Sequence, residues 1–137
     1  MERYLLDTSA IFALRDNEPG ADQVEKILRE TETGKCHTYV SFMTFMELFY
    51  VVWRQKGKGE ALRTFLEMKM LPLERVEMSD PILLLAGELK ATFPLSLADS
   101  WIAATAIDRQ ATLIHKDPEF EPLKERLTAK TLPYKLS

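Results

Sequence analysis

Asp7, Glu47, Asp99 and Asp117 are the side chains of this sequence best suited to chemistry. They stand in the contexts Tyr4-Leu5-Leu6-Asp7-Thr8-Ser9, Phe45-Met46-Glu47-Leu48, Leu97-Ala98-Asp99-Ser100-Trp101 and Ile114-His115-Lys116-Asp117-Pro118-Glu119-Phe120. Asp7 and Asp117 fall at the ends of expected β-strands, Glu47 and Asp99 in the first turns of expected helices. A parallel α/β sheet gathers such positions at the carboxyl ends of its strands. Four carboxylates brought together there would repel one another unless a divalent cation lay between them. Hard oxygen donors suit Mg²⁺ or Mn²⁺ and require neither cysteine nor histidine. The outline is that of a metal-dependent phosphodiesterase.

Each acid also has a purely structural explanation. Asp7 could cap the helical turn that follows it. Thr44 to Glu47 fits a capping box, and Ser96 to Asp99 resembles one with Asp in place of Glu. Asp117-Pro118 could initiate a turn. Two features weigh against caps alone. Phe45, Met46, Leu48, Phe49, Val51, Val52 and Trp53 surround Glu47 in sequence, and a charge buried without a partner is strongly unfavourable. In addition, all four acids would share one edge of the sheet.

The elements that must position these acids can be read from periodicity and punctuation. Strands are expected at Arg3 to Leu6, His37 to Val40, Leu73 to Val76, Thr112 to His115 and Thr131 to Tyr134, the last an edge strand because of Pro133. Between them lie a helical turn from Thr8 to Leu14 and helices at Ala21 to Thr31, Thr44 to Gln55, Glu60 to Met68, Asp80 to Lys90 and Leu97 to Arg109. Pro19 is placed early in the second of these, and Gly57 and Gly59 mark a turn. Alternating strands and helices imply parallel βαβ crossovers, hence a three-layer α/β/α sandwich with a mostly parallel sheet of about five strands.

The bulk properties set limits. A chain of 137 residues fits one domain, 1–137, with a core that needs no staples. No N-terminal stretch has the layout of a signal peptide, and the most apolar run, Val40 to Trp53, is too short to span a bilayer. A cytoplasmic protein with no membrane association is expected. The single cysteine, Cys36, has no internal partner, and His37 and His115 match no zinc spacing. The formal net charge is −3, but setting the four acids aside leaves 17 acidic against 18 basic residues. Overall acidity therefore does not exclude RNA, because affinity follows local charge.

Taken together, Leu6-Asp7-Thr8-Ser9-Ala10, the mid-chain Glu47, the run Leu97 to Ala106 and the segment Ala111 to Phe120 resemble the motifs of the PIN-domain nucleases. Within that family the chain is similar to the small single-domain toxins of VapBC toxin–antitoxin pairs, in order and spacing over almost its whole length. The resemblance implies an endoribonuclease in which Asp7, Glu47, Asp99 and Asp117 hold one or two Mg²⁺ or Mn²⁺ ions, with Thr8 and Ser9 as hydroxyls bracing the first acid. From the metal chemistry a water nucleophile is expected, with products ending in 5′-phosphate and 3′-hydroxyl. An antitoxin partner and a homodimer are further implications. The closing motif departs from the family pattern, having His115 and Lys116 where a Thr or Ser often precedes the acid. Glu119 reads as an exposed turn residue, with a role beside Asp117 as the alternative.

Lys116, Arg15, Arg54, Lys56 and Lys58 are candidates for phosphate contacts, Lys116 first because it adjoins Asp117. Phe42, Phe45, Met46, Phe49, Tyr50 and Trp53 supply more apolar surface than one helix needs, chiefly for the core and in part for another chain. The alternatives are a PIN-type nuclease of RNA processing or maturation, which usually carries extra domains, and a catalytically silent RNA- or protein-binding module. A phosphoacceptor receiver domain would need paired acids after the first strand and a lysine after the last, and neither is present.

Overall fold

The computed structural model describes residues 1–133. Five parallel strands, β1 (Glu2–Leu6), β2 (Cys36–Ser41), β3 (Glu74–Val76), β4 (Thr112–His115) and β5 (Ala129–Thr131), form one sheet in the order β3-β2-β1-β4-β5. The helices are α1 (Thr8–Arg15), α2 (Ala21–Glu32), α3 (Phe42–Lys56), α4 (Lys58–Met70), α5 (Asp80–Thr92) and α6 (Leu97–Asp108), and a 3₁₀ turn covers Pro118–Leu123. From β1 the sheet grows through β2 to β3, then resumes on the other side of β1 with β4 and β5. Crossovers of one hand must change face when the direction of growth reverses. Accordingly α5 and α6 cover one face and α1 and α2 the other.

The strands show this in their side chains. Leu5, Tyr39 and Leu113 pack with Ile82, Leu89, Ile102 and Ala103 on the α5–α6 face. Their neighbours Leu6, Val40 and Ile114 pack with Ala10, Ile11, Val24 and Ile27 on the other. Strands buried on both faces are continuously apolar, because successive residues point opposite ways. In α6 the run Ile102 to Ala106 is buried throughout; its small side chains let the helix sit close to the sheet.

Several boundaries differ from the sequence expectation. α3 begins at Phe42 with Ser41 as its cap, the hydroxyl accepting the Met43 N–H at 3.1 Å. Thr44 is therefore not a cap, and Glu47 lies in the second turn of the helix, not the first. Pro19 precedes α2 instead of entering it; the cap is Gly20, at φ +100°, with its Cα face against Leu132. Gly57, at φ +92°, makes the break between α3 and α4, whereas Gly59 is already helical. The last strand is Ala129–Thr131, earlier than expected, so Pro133 lies beyond it and Tyr134 outside the described residues. It is an edge strand, as expected.

Candidate metal centre

The reversal of strand order between β1 and β4 opens a crevice at the carboxyl end of the sheet, the usual ligand site of open α/β folds. Asp7 follows β1 at this point, and its N–H continues the ladder to the Ile114 carbonyl at 3.0 Å. The residue is 2% exposed. One oxygen, Oδ2, caps α1, accepting the Ser9 N–H at 3.1 Å and the Ser9 hydroxyl at 2.5 Å. The other, Oδ1, is buried with no hydrogen-bond partner among the described residues. A cap explains Oδ2 but leaves Oδ1 without one of the bonds that buried polar atoms require.

The other acids face the same crevice. Glu47, from α3, accepts the Thr8 hydroxyl at 2.6 Å, and Thr8 is in turn 3.0 Å from the Thr44 hydroxyl. Asp99, from the first turn of α6, is buried. Asp117 caps the 3₁₀ turn through the Glu119 N–H, 2.9 Å from Oδ1. Carboxylate oxygens of Asp99, Asp117 and Glu119 lie within 4.8 Å of one another. All four candidate acids lie close enough to feel one another's charge, but among the described residues the tight group holds only Asp99 and Asp117 of them, with Glu119 as its third member, and Asp7 and Glu47 stand outside it. Glu119 is half-buried and turned toward the cluster, not an exposed turn residue.

Burial and nearby negative charge push Asp7, Glu47 and Asp99 toward protonation. Burial raises Asp7 from 3.8 to about 6, opposed by the two Ser9 bonds and reinforced by Glu47 and Asp117. Burial likewise raises Glu47, against the Thr8 bond and with Asp117 adding to the rise. Asp99 is raised furthest, by burial first, then by its bond to Glu119 and the charges of Asp7 and Asp117. Among the described residues no lysine or arginine ion-pairs with any of the five. A divalent cation would supply the missing positive charge, and hard carboxylate oxygens with one open buried acceptor fit Mg²⁺ or Mn²⁺.

The supporting residues were only partly legible. Ser9 braces Asp7, and its oxygen also accepts the Lys116 N–H at 2.9 Å, tying the first turn of α1 to the end of β4. Thr8 serves Glu47 instead of Asp7. Thr44, one helical turn before Glu47 and read as a cap, is part of this bracing. His115 takes the place of the expected hydroxyl: its Nδ1 accepts the Asp117 N–H at 3.0 Å. The ring is buried, stands edge-on to Phe120, and burial lowers its pKa, so it is the neutral acceptor that this bond needs.

Two of the expected phosphate contacts are otherwise engaged. The Lys116 ammonium turns away from the acids to the Pro19 carbonyl at 2.9 Å and Glu18 at 3.4 Å, with its side chain only 7% exposed. Arg15 bridges Asp16 at 3.1 Å and Glu60 at 3.6 Å. Arg54, Lys56 and Lys58 are exposed. Arg54 lies over the Tyr50 ring, 5.1 Å from its centre.

This architecture is shared with known proteins. In solved structures it is similar to VapBC2 of Rickettsia felis, crystallised bound to a promoter DNA fragment: 22% identity, TM-score 0.75, covering 96% of this chain and 99% of that one. It is similar to VapBC-1 of nontypeable Haemophilus influenzae at 25% identity and TM-score 0.73, over 94% and 97% of the two chains. A third similar structure is Mycobacterium tuberculosis VapC20, a toxin that cleaves the sarcin–ricin loop, at 12% identity and TM-score 0.67, over 87% and 93%. No curated protein sequence matches the chain. The sequence model of the PIN domain matches residues 4–125, which include all five acids of the crevice. The chain belongs to the PIN-domain family.

Proposed function

We propose that this chain is a Mg²⁺- or Mn²⁺-dependent endoribonuclease, the toxin of a toxin–antitoxin pair, working in the cytoplasm as a single nuclease domain. The observation that carries the metal site is the buried Asp7 Oδ1, which among the described residues has no hydrogen-bond partner, beside other carboxylates that no lysine or arginine of those residues ion-pairs. Membership of the PIN family and the fold shared with the VapBC structures support the assignment of the reaction and of the partner. VapC20, a sarcin–ricin loop cleaving toxin of the same fold, is in line with this reading.

In this reading Asp7, Glu47, Asp99 and Asp117 hold the cation. When bound, it supplies Lewis-acid stabilisation of the phosphate and lowers the pKa of a water. Ser9, Thr8 and His115 act through the acids. Ser9 points Asp7 Oδ1 into the crevice by occupying Oδ2, Thr8 fixes the Glu47 carboxylate, and His115 fixes the backbone from which Asp117 projects. The N-terminus of α6 favours the ionised form of Asp99 once the repulsion is relieved. Hydrolysis then adds a water oxygen to phosphorus and breaks the bond to O3′, leaving a 5′-phosphate and a 3′-hydroxyl. No histidine base and no attack by the 2′-hydroxyl is required.

Arg54 supports the RNA reading: seven residues after Glu47 it lies on the same helical face, about 10 Å farther along the axis. Met46, Tyr50 and Trp53 are exposed at 53%, 39% and 43%, and their i, i+4, i+7 spacing makes one stripe on α3. Leu62, Leu66 and Met70 of α4 are exposed as well. Phe42 and Phe45, by contrast, pack on the core. The apolar stripe is suited to an antitoxin segment or a second copy of the chain. The chemistry of the cut ends tests the proposal. The expected products carry 5′-phosphate and disappear in EDTA; 2′,3′-cyclic phosphate ends, or cleavage undiminished by EDTA, would refute it.

A further inference from the structure

Asp99 occupies the third position of α6, counting from the Ser96 cap, and the Ser96 hydroxyl accepts the Asp99 N–H at 3.1 Å. In a complete capping box the acid at this position folds back to accept the N–H of the cap residue. Here that N–H donates to Glu119 Oε1 instead, from a turn 23 residues away in sequence. The Ser96 carbonyl is held too, by the Ser100 N–H at 3.0 Å and the Ser100 hydroxyl at 2.6 Å. Glu119 itself is fixed on the opposite side of the crevice. Its N–H donates to Asp117 Oδ1, and Phe120 beside it is anchored in the core.

We infer that Glu119 is a positioning residue for the metal centre: it completes the α6 cap from outside the helix and thereby keeps Asp99 from folding back onto that cap. The competing use of Asp99 is local and entropically cheap, since an acid three residues beyond its cap is already within reach of it. With the Ser96 N–H occupied, that alternative is closed. The same residue joins both sides of the crevice, through its backbone to Asp117 and through its side chain to α6. The inference rests on the four-acid metal reading. It adds that the fifth acid acts through Asp99, as the acceptor of the Ser96 N–H and the hydrogen-bond partner of the Asp99 carboxyl, and not as a ligand of the metal.

Glu119→Gln and Glu119→Asp separate these roles. Gln keeps the chain length and an acceptor oxygen but loses the charge; Asp keeps the charge but falls short of the Ser96 N–H by a methylene. Two quantities are measured on the whole chain without RNA: Mn²⁺ affinity, and hydrogen exchange of the Ser96 amide in EDTA. Positioning predicts that Gln stays close to wild type in both. Asp weakens Mn²⁺ binding about ten- to a hundredfold, the usual loss when a residue orienting a ligand is removed, and deprotects Ser96. The reverse order, with Asp tight and Gln weak, would make Glu119 a charge or a ligand and overturn the inference, as would two variants of equal Mn²⁺ affinity. If wild type bound no Mn²⁺, the metal reading itself would fail. Amide exchange would still decide the cap: Ser96 protection unchanged in Glu119→Asp refutes it.

Discussion

Asp7→Asn should stabilise the metal-free protein while removing its activity. Raising a buried carboxylate from 3.8 to about 6 means that folding disfavours its ionised form by about 3 kcal/mol, at 1.36 kcal/mol for each tenfold change in acidity. The stability associated with the protonated carboxyl is fully present below about pH 4 and is lost as pH rises through about 6. At about pH 8 in EDTA the wild type therefore bears the whole cost, and Asn, which cannot ionise, bears none. Asn also retains an oxygen for Ser9 and turns an N–H₂ toward the neighbouring acids. For 137 residues at about 2 cal/mol/K each, the unfolding entropy makes 3 kcal/mol worth about 10 °C in Tm. Part of that is offset by weaker bonds from Ser9, so about 10 °C is a ceiling. Thermal unfolding followed by circular dichroism in EDTA should show the variant ahead near pH 8 and level with wild type near pH 4. Saturating Mn²⁺ should restore the wild type selectively, since a ligand at a hundred times its Kd adds about 2.7 kcal/mol. A variant less stable than wild type at every pH, by the ~1 kcal/mol typical of a lost cap, would show Asp7 to be a helix cap and nothing more.

Two further substitutions follow from the bracing. Thr8→Val keeps the volume but removes the hydroxyl shared by Glu47 and Thr44; it should cost about 1–3 kcal/mol in stability and weaken Mn²⁺ binding at least tenfold, both measurable without RNA. Lys116→Met should lower Tm by loosening the loop at Glu18 and Pro19, yet leave the salt dependence of RNA binding unchanged. A fall of about one in that slope would instead place Lys116 on a phosphate.

The main elements were legible because burial of the strands on both faces imposes long apolar runs, and helix periodicity separates them. The places of Asp7, Asp99 and Asp117 were legible because strand ends and helix starts are local features that a parallel sheet collects at one edge; Glu47 was expected at a helix start and lies one turn farther along α3. What brace them could not be read the same way. Thr8 meets Glu47 across 39 residues, Ser9 meets the Lys116 N–H across 107 and Glu119 meets Ser96 across 23. Such pairs depend on how α1, α3 and the 3₁₀ turn pack, not on any nearby residue. Ser41 and Thr44 are both competent caps; Ser41 caps because β2 ends there, paired with Val76 of β3, a long-range contact that decides a local choice. Lys116 misled for a geometric reason. The chain is extended at Asp117, at φ −119° and ψ 113°, and successive side chains of an extended segment point to opposite sides. With Asp117 facing the crevice, its neighbour must face away.

The most direct test of the central claim, that these acids form a metal centre for cutting RNA, is cleavage of end-labelled RNA by wild type and Asp99→Asn, each with Mg²⁺, Mn²⁺ or EDTA. The predicted result is cutting by wild type with either metal, abolished in EDTA, and abolished in the variant although it remains folded. Cutting by Asp99→Asn at the wild-type rate, or by wild type equally well in EDTA, would contradict it.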